Sequence, residues 1–394
     1  MKDLLDQIKQ KASEIHPKLV EWRRYLHQHP ELSFQEFETA KFIARVLDEY
    51  QISYTAGVAK TGIVALIEGN NANSRCIALR GDMDALPIVE ENTFDFASNN
   101  KGVMHACGHD FHSTNLLGAA IILSSIKEQF EGTVKFIFQP AEEKIPSGAP
   151  AMIAEGVLDN PKVDAILGMH VSPELPTGTF GFRSGQFMAS ADEIYLTVKG
   201  KGGHAAFPNN LVDPVLTAAQ ILVNLQQVVS RKKSPFDAAV LSFGKVEAHG
   251  ATNIIPNEVK IAGTLRAMNE EFRFEAHDWI TKIAKETAQA SGAECEVNIV
   301  VGYPFLMNDE ALTWRKQKLA VAYDEGVIAK EIPARMGAED FAYYSQKVPA
   351  CFIRIGTGNK EKGTTNGLHT SNFNVDEDAL EFGAGMLAWL AINP

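Results

Sequence analysis

The stretch TVKFIFQPAEE, residues 133–143, decides the fold. A run of strand-forming, largely apolar residues ends in a proline and then in two adjacent carboxylates, Glu142 and Glu143. Three neighbouring stretches repeat the design. TGIVALIEG (61–69), CIALRGDMDALP (76–87) and DAILGMHVSP (164–173) each set an apolar run directly ahead of a polar turn, while STNLLGAAIILSSIKEQF (113–130) has helical length and period. This alternation predicts an α/β domain with a mixed, largely parallel sheet flanked by helices, where ligands gather at the carboxyl ends of strands.

A different order begins near Glu193. EIYLTVKG (193–200), AAVLSFGKVEA (238–248), NEVKIAGTLRAM (257–268) and ECEVNIVVGYP (294–304) read as strands; DPVLTAAQILVNLQQVVSR (213–231) and EEFRFEAHDWITKIAKETAQASG (270–292) read as helices. The sequence β-α-β-β-α-β is the ferredoxin-like unit. We therefore expect an inserted α+β domain over 188–301, with 1–187 and 302–394 forming the first domain. A chain of 394 residues fits two domains better than one core.

Composition excludes several functions. The formal net charge of -12 argues against a protein built to hold a phosphate backbone or an anionic membrane surface, leaving small molecules as partners and no nucleic acid or membrane. No stretch approaches the roughly twenty apolar residues of a membrane span, and the charged N-terminus lacks the pattern of an export signal, so a cytoplasmic setting is expected. Four widely spaced cysteines give no disulfide framework; Cys76, Cys295 and Cys351 sit in apolar runs and read as core.

Cys107 stands apart, inside VMHACGHDFHS (103–113). Cys107 and His109 together suit a borderline cation such as zinc; taken alone the pair is also compatible with two turn residues or, less readily, a nucleophilic thiol. Glu142 and Glu143, being successive, fit a division of labour between one ligand and one general base. His170 ends the run DAILGM, and His369 lies in the polar loop NGLHTSNF. One sulfur, three imidazoles and a carboxylate, all at strand ends or adjoining loops of one domain, suit two cations about 3.5–4 Å apart with a shared ligand. Asp82 and Asp84 follow the strand CIALR, where either can orient a ligand histidine through its second nitrogen. His105 and His112 read as loop and helix-start residues. In the insertion, His204 in KGKGGHAAFP, Asn253 in TNIIPNE and Arg266 in GTLRAM are candidates for substrate contact: Arg for a carboxylate, His for an oxyanion.

Taken together, RRYLHQHPELSFQE, LRGDMDALPI, MHACGHDFH, FQPAEE, GMHV, KGKGGHAAFP, NIIPNEVKIAGTLR, MGAEDFAYY and GLHTSNF resemble the peptidase M20 superfamily. The resemblance is to its branch of aminoacylases, hippurate hydrolases and auxin-conjugate (IAA-amino acid) amidohydrolases, and it runs from about residue 20 to 390. It implies a di-metal domain with an inserted lid that dimerises. Carried over by position, Cys107, His109, Glu143, His170 and His369 are the metal ligands and Glu142 the general base. Cys107 stands where other branches carry a bridging carboxylate, and Asp84 falls on an active-site aspartate. His204, Asn253 and Arg266 match substrate-contacting lid residues, His204 reaching the partner subunit's site. The implied reaction is hydrolysis of N-acyl amino acids by a homodimer using two divalent ions, zinc, manganese, nickel or cobalt; an exopeptidase with the same chemistry is the alternative. KIPSGAP (144–150) departs from the glycine-rich stretch common in the branch, which bears on substrate shape. A thiol hydrolase using Cys107 with His105 or His112 would leave Glu142, Glu143 and His369 without a role, and a non-catalytic scaffold would have lost a ligand or the base.

Overall fold

The computed structural model describes residues 2–323 and 328–393. The chain divides into two units, Met1–Gly185 with Met307–Pro333 and Tyr343–Pro394, and Gln186–Leu306 with Ala334–Ala342.

In chain order, the first unit opens with helices α1 (Lys2–Gln28) and α2 (Phe37–Glu49). These are followed by β1 (Tyr54–Val58), β2 (Gly62–Glu68), β3 (Cys76–Asp82), α3 (His109–Ser124), β4 (Thr133–Gln139), β5 (Ala165–Pro176) and β6 (Thr179–Phe182). The second unit holds β7 (Asp192–Lys199), α4 (Pro214–Gln227), β8 (Ala239–Glu247), β9 (Glu258–Ala267), α5 (Glu270–Ala290) and β10 (Glu294–Val301). The chain then returns to the first unit through α6 (Glu310–Tyr323), β11 (Ile328–Glu331), β12 (Ala350–Gly358) and α7 (Ala379–Ile392).

The first unit's sheet runs β1-β2-β4-β3-β5-β12-β6-β11. Its centre, β4-β3-β5-β12, is parallel, and antiparallel pairings at β1, β2 and β6 make it mixed. Every residue of β3 and of β4 is buried, as strands covered on both faces require. Helix α3 is buried from His109 to Leu123, packs with α1 and α7, and is apolar on all sides over Leu116–Leu123. It begins at His109, four residues ahead of the helical run read from the sequence, because Gly108 turns the chain in the left-handed region (φ +88). A Cβ there would meet Val171 at 2.6 Å.

Register fixes what this sheet presents. Asp82 pairs with Gln139, and Arg80 with both Ile137 and Gly168, so the ends of β3 and β4 lie level with His170 on β5. Three adjacent strands thus deliver Asp82–Asp84, Glu142–Glu143 and His170 to one edge.

The second unit is a four-stranded antiparallel sheet, order β8-β9-β7-β10, with α4 and α5 packed on its core of Ile194, Leu196, Val198, Ile221, Leu265 and Ile280. Asp213 caps α4 by accepting from Val215 and Leu216 N–H, and Asn269 caps α5 by accepting from Phe272 N–H. Beneath the helices Asp192 takes a two-pronged bond from Arg273 (2.5 and 2.8 Å) and a third from His277. One segment differs from the sequence reading, which kept residues 334–342 with the first domain. Their backbone is claimed by the second unit, where Ala189 N–H donates to Arg335 and Gly337 carbonyls and Arg335 N–H to Phe187 O.

Candidate metal centre

The first unit gathers Cys107, His109, Glu143, His170 and His369, together with Glu142 and Asp84. The ligand-type atoms of Cys107, His109 and His170 lie within 4.8 Å of one another, and so do those of Cys107, Glu143 and His369. Cys107 Sγ belongs to both trios. A third grouping joins His109 with Glu142 and Glu143. The thiol is 3.4 Å from His170 Nε2, and His369 Nε2 is 3.2 Å from Glu143 Oε1.

The histidines are oriented from behind. His170 Nδ1 donates to Val171 O (2.8 Å), and His109 Nδ1 to Asp84 O (2.8 Å) and Oδ1 (3.2 Å), so each ring turns Nε2 toward the thiol side. Nε2 of His109 is buried and has no hydrogen-bond partner. An orphaned imidazole nitrogen beside a sulfur and carboxylates is a donor set that fits a borderline divalent cation. Burial, with the Arg354 charge, lowers the His170 pKa; burial, reinforced by the Glu143 charge, pushes the Cys107 thiol up.

Asp84 is the hub. Its Oδ1 accepts from Glu142 N–H (2.9 Å), its Oδ2 from Glu143 N–H (3.0 Å) and from Ser33 Oγ (2.6 Å), in addition to the His109 contact. Burial works against this carboxylate, but the hydrogen bond from His109 and the other donors hold its pKa below the usual range. The same side chain thus fixes His109 and the main chain of both glutamates. Asp82 does something else: it accepts from Arg80 Nη1 (2.5 Å) and from His112 Nδ1 (2.6 Å), while Val171 N–H donates to His112 Nε2 (3.0 Å). With both nitrogens engaged, His112 is a structural histidine. His105 is buried with neither ring nitrogen bonded.

Two site residues sit in the left-handed region without being glycine, Ala141 (φ +52) and His369 (φ +62), each costing about 1–3 kcal/mol that surrounding contacts must hold. His369 is tied by its N–H to Ala106 O (2.8 Å), which docks the C-terminal loop onto the Cys107 segment.

The three expected substrate contacts belong to the second unit. His204 and Asn253 are neighbours there, with His204 paired to Ile254 and Ala205 N–H donating to Asn253 O (3.0 Å); both side chains are exposed. Arg266 lies half-buried on β9, opposite Val240, donating to Thr264 Oγ1 and Leu265 O. Sequence reasoning passed over Ser33 and Glu36. They lie in HPELSFQE, which carried the resemblance but offered no ligand-type spacing to reveal a role.

The pattern defining peptidase family M20/M25/M40 matches residues 78–393. The chain belongs to that family. Among its M20 relatives, the N-acetylcysteine deacetylase of Bacillus subtilis (strain 168) is 41% identical over 96% of this chain and 97% of its own. Thermostable carboxypeptidase 2 of Saccharolobus solfataricus is 37% identical over 99% and 98%. The crystal structure of a Bacillus subtilis dinuclear metal binding peptidase of the M20 family superposes with a TM-score of 0.82 at 38% identity, covering 96% of this chain and 98% of that one. The sheet described above is therefore an M20 fold, and the chain is a hydrolase of a metal-binding family. Among the described residues no helix is long and apolar enough to cross a membrane.

Proposed function

We propose that this M20 protein hydrolyses the amide bond of N-acyl amino acids, releasing a carboxylate and a free amino acid. The observation that carries the reading is the sharing of Cys107 Sγ by two ligand trios, a donor arrangement suited to a cation pair. Divalent cations held there would supply Lewis acidity and lower the pKa of a water molecule. Cys107, His109 and His170 would hold one ion and Cys107, Glu143 and His369 the other. Glu142, its main chain clamped by Asp84, takes the proton of the attacking water and returns it to the departing amine. Arg266 and Asn253 anchor the substrate carboxylate and His204 donates to the oxyanion, the last from the partner chain of a homodimer formed through the second unit acting as a lid. A cytoplasmic location belongs to the same proposal.

The deacetylase among the relatives supports small N-acyl substrates, and the carboxypeptidase supports exopeptidase action by the same groups. A panel of N-acetyl, N-benzoyl and indole-acetyl amino acids and of dipeptides, assayed after loading with zinc, manganese, nickel or cobalt in turn, separates the two. Turnover of dipeptides alone would favour the exopeptidase. Arg266→Ala is expected to raise KM for carboxylate-bearing substrates about 10- to 100-fold, the worth of one charge-assisted bond, and to leave an amidated substrate unaffected. Equal losses on both would remove Arg266 from the carboxylate site. Asp84→Asn places an amide N–H₂ among four donors, so cation affinity should fall about 10- to 100-fold in a calorimetric titration; an unchanged affinity would reduce Asp84 to a turn residue.

A further inference from the structure

Glu36 is completely buried, and every hydrogen bond found at its carboxylate comes from a loop. Oε1 accepts from Phe34 N–H (2.9 Å) and Ala141 N–H (2.8 Å), and Oε2 from Thr61 Oγ1 (2.7 Å). The residue precedes α2, yet its side chain does not cap that helix. Glu31 does so, accepting from Glu38 and Thr39 N–H (3.2 and 2.8 Å). A buried carboxylate is costly to keep, and a role in packing alone would be served by an apolar residue. What Glu36 holds is Ala141, the residue directly ahead of Glu142 and Glu143, in a left-handed conformation that alanine disfavours. The Ala141 carbonyl is held as well, by Gly148 N–H (2.9 Å), at an approach so close that a Cβ on Gly148 would lie 1.8 Å from Pro140 O. From the same short segment Ser33 reaches Asp84, so residues 33–36 brace both the turn and its hub.

We propose that Glu36 is a positioning residue of the active centre: by clamping the Ala141 amide it aims Glu142 and Glu143 at the cation pair. The inference rests on the functional reading above for what the two glutamates do. Without the clamp Ala141 relaxes toward negative φ and the following carboxylates rotate out of register with Cys107 and His369.

The test pairs cation titration by calorimetry with kinetics on wild type, Glu36→Ala, Glu36→Gln and Glu36→Ala/Ala141→Gly. In Glu36→Ala the weaker cation step should lose about 10- to 100-fold in affinity, as loss of an outer-shell support does. Its kcat should fall at least about tenfold with KM little changed. Glu36→Gln keeps an oxygen for both amides and turns its N–H₂ to Thr61 Oγ1, so it should stay near wild type. Ala141→Gly, which adopts positive φ without strain, should recover part of the loss. A folded Glu36→Ala protein with wild-type cation affinity and kcat overturns the proposal. Should that variant fail to fold, Glu36→Asp, one methylene short of Ala141, carries the same expectation, and wild-type affinity in it overturns the proposal equally. Wild type that binds two ions and cleaves no N-acyl amino acid ends the functional reading instead, and the Glu36 clamp is then judged on cation affinity.

Discussion

Replacing Glu142 with alanine should lower kcat by about 10²- to 10⁴-fold, the range a positioned general base supplies, with two ions per chain still bound. The two outcomes separate because the Glu142 backbone is held by a bond in which its side chain takes no part. Its N–H is fixed on Asp84 Oδ1, so truncation leaves the turn, Glu143 and the ligand trios in place. Glu142 is nearly inaccessible to solvent, which leaves little room for a bulk water to substitute as proton acceptor. Glu142→Gln keeps shape and removes basicity, and should lose as much. Elemental analysis gives the ion count and steady-state kinetics the rate; a metal-replete Glu142→Ala protein that turns over normally would move the base elsewhere.

Cys107→Ala should be more severe still. Because Sγ belongs to both trios, its removal would strip each proposed cation of a ligand, and ion content should fall from two toward none, with activity down by at least about 10³-fold, since Lewis-acid stabilisation is worth several kcal/mol. Cys107→Asp supplies an oxygen bridge and should recover ion binding and part of the rate. Alkylation provides a second readout. The thiol is buried, and once committed to cations it should resist iodoacetamide until a chelator is added. Full activity in EDTA with inactivation by iodoacetamide would reverse the assignment in favour of a cysteine nucleophile.

Much of this was legible because a parallel sheet converts sequence order into spatial coincidence. Once FQPAEE, RGDMD and GMHV were each read as strand followed by turn, their meeting at one edge followed from strand polarity, and the β-α-β-β-α-β order in 193–301 led directly to the antiparallel sheet of the second unit. What stayed hidden depends on geometry that pattern does not encode. The choice of Asp84 over Asp82 as the partner of His109 is set by where the chain turns after β3, and the structural bonds of His112, to Asp82 and from Val171 N–H, are visible in no spacing. The start of α3 was misplaced because Gly108 acts through its positive φ, not through hydrophobic period. Glu36 was passed over for a similar reason: its bonds from Phe34, Ala141 and Thr61 join distant loops, while the capping of α2 falls to Glu31.

In sequence His369 lies on the far side of the insertion from every other proposed ligand, and its loop docks through His369 N–H on Ala106 O and Glu91 N–H on Ser371 O. During synthesis the ribosome releases Cys107, His109, Glu143 and His170 well before the residue that completes the second trio. Cation capture at the proposed centre would then come among the last events of biogenesis, completed by the same C-terminal segment that delivers the buried helix α7 to α1 and α3.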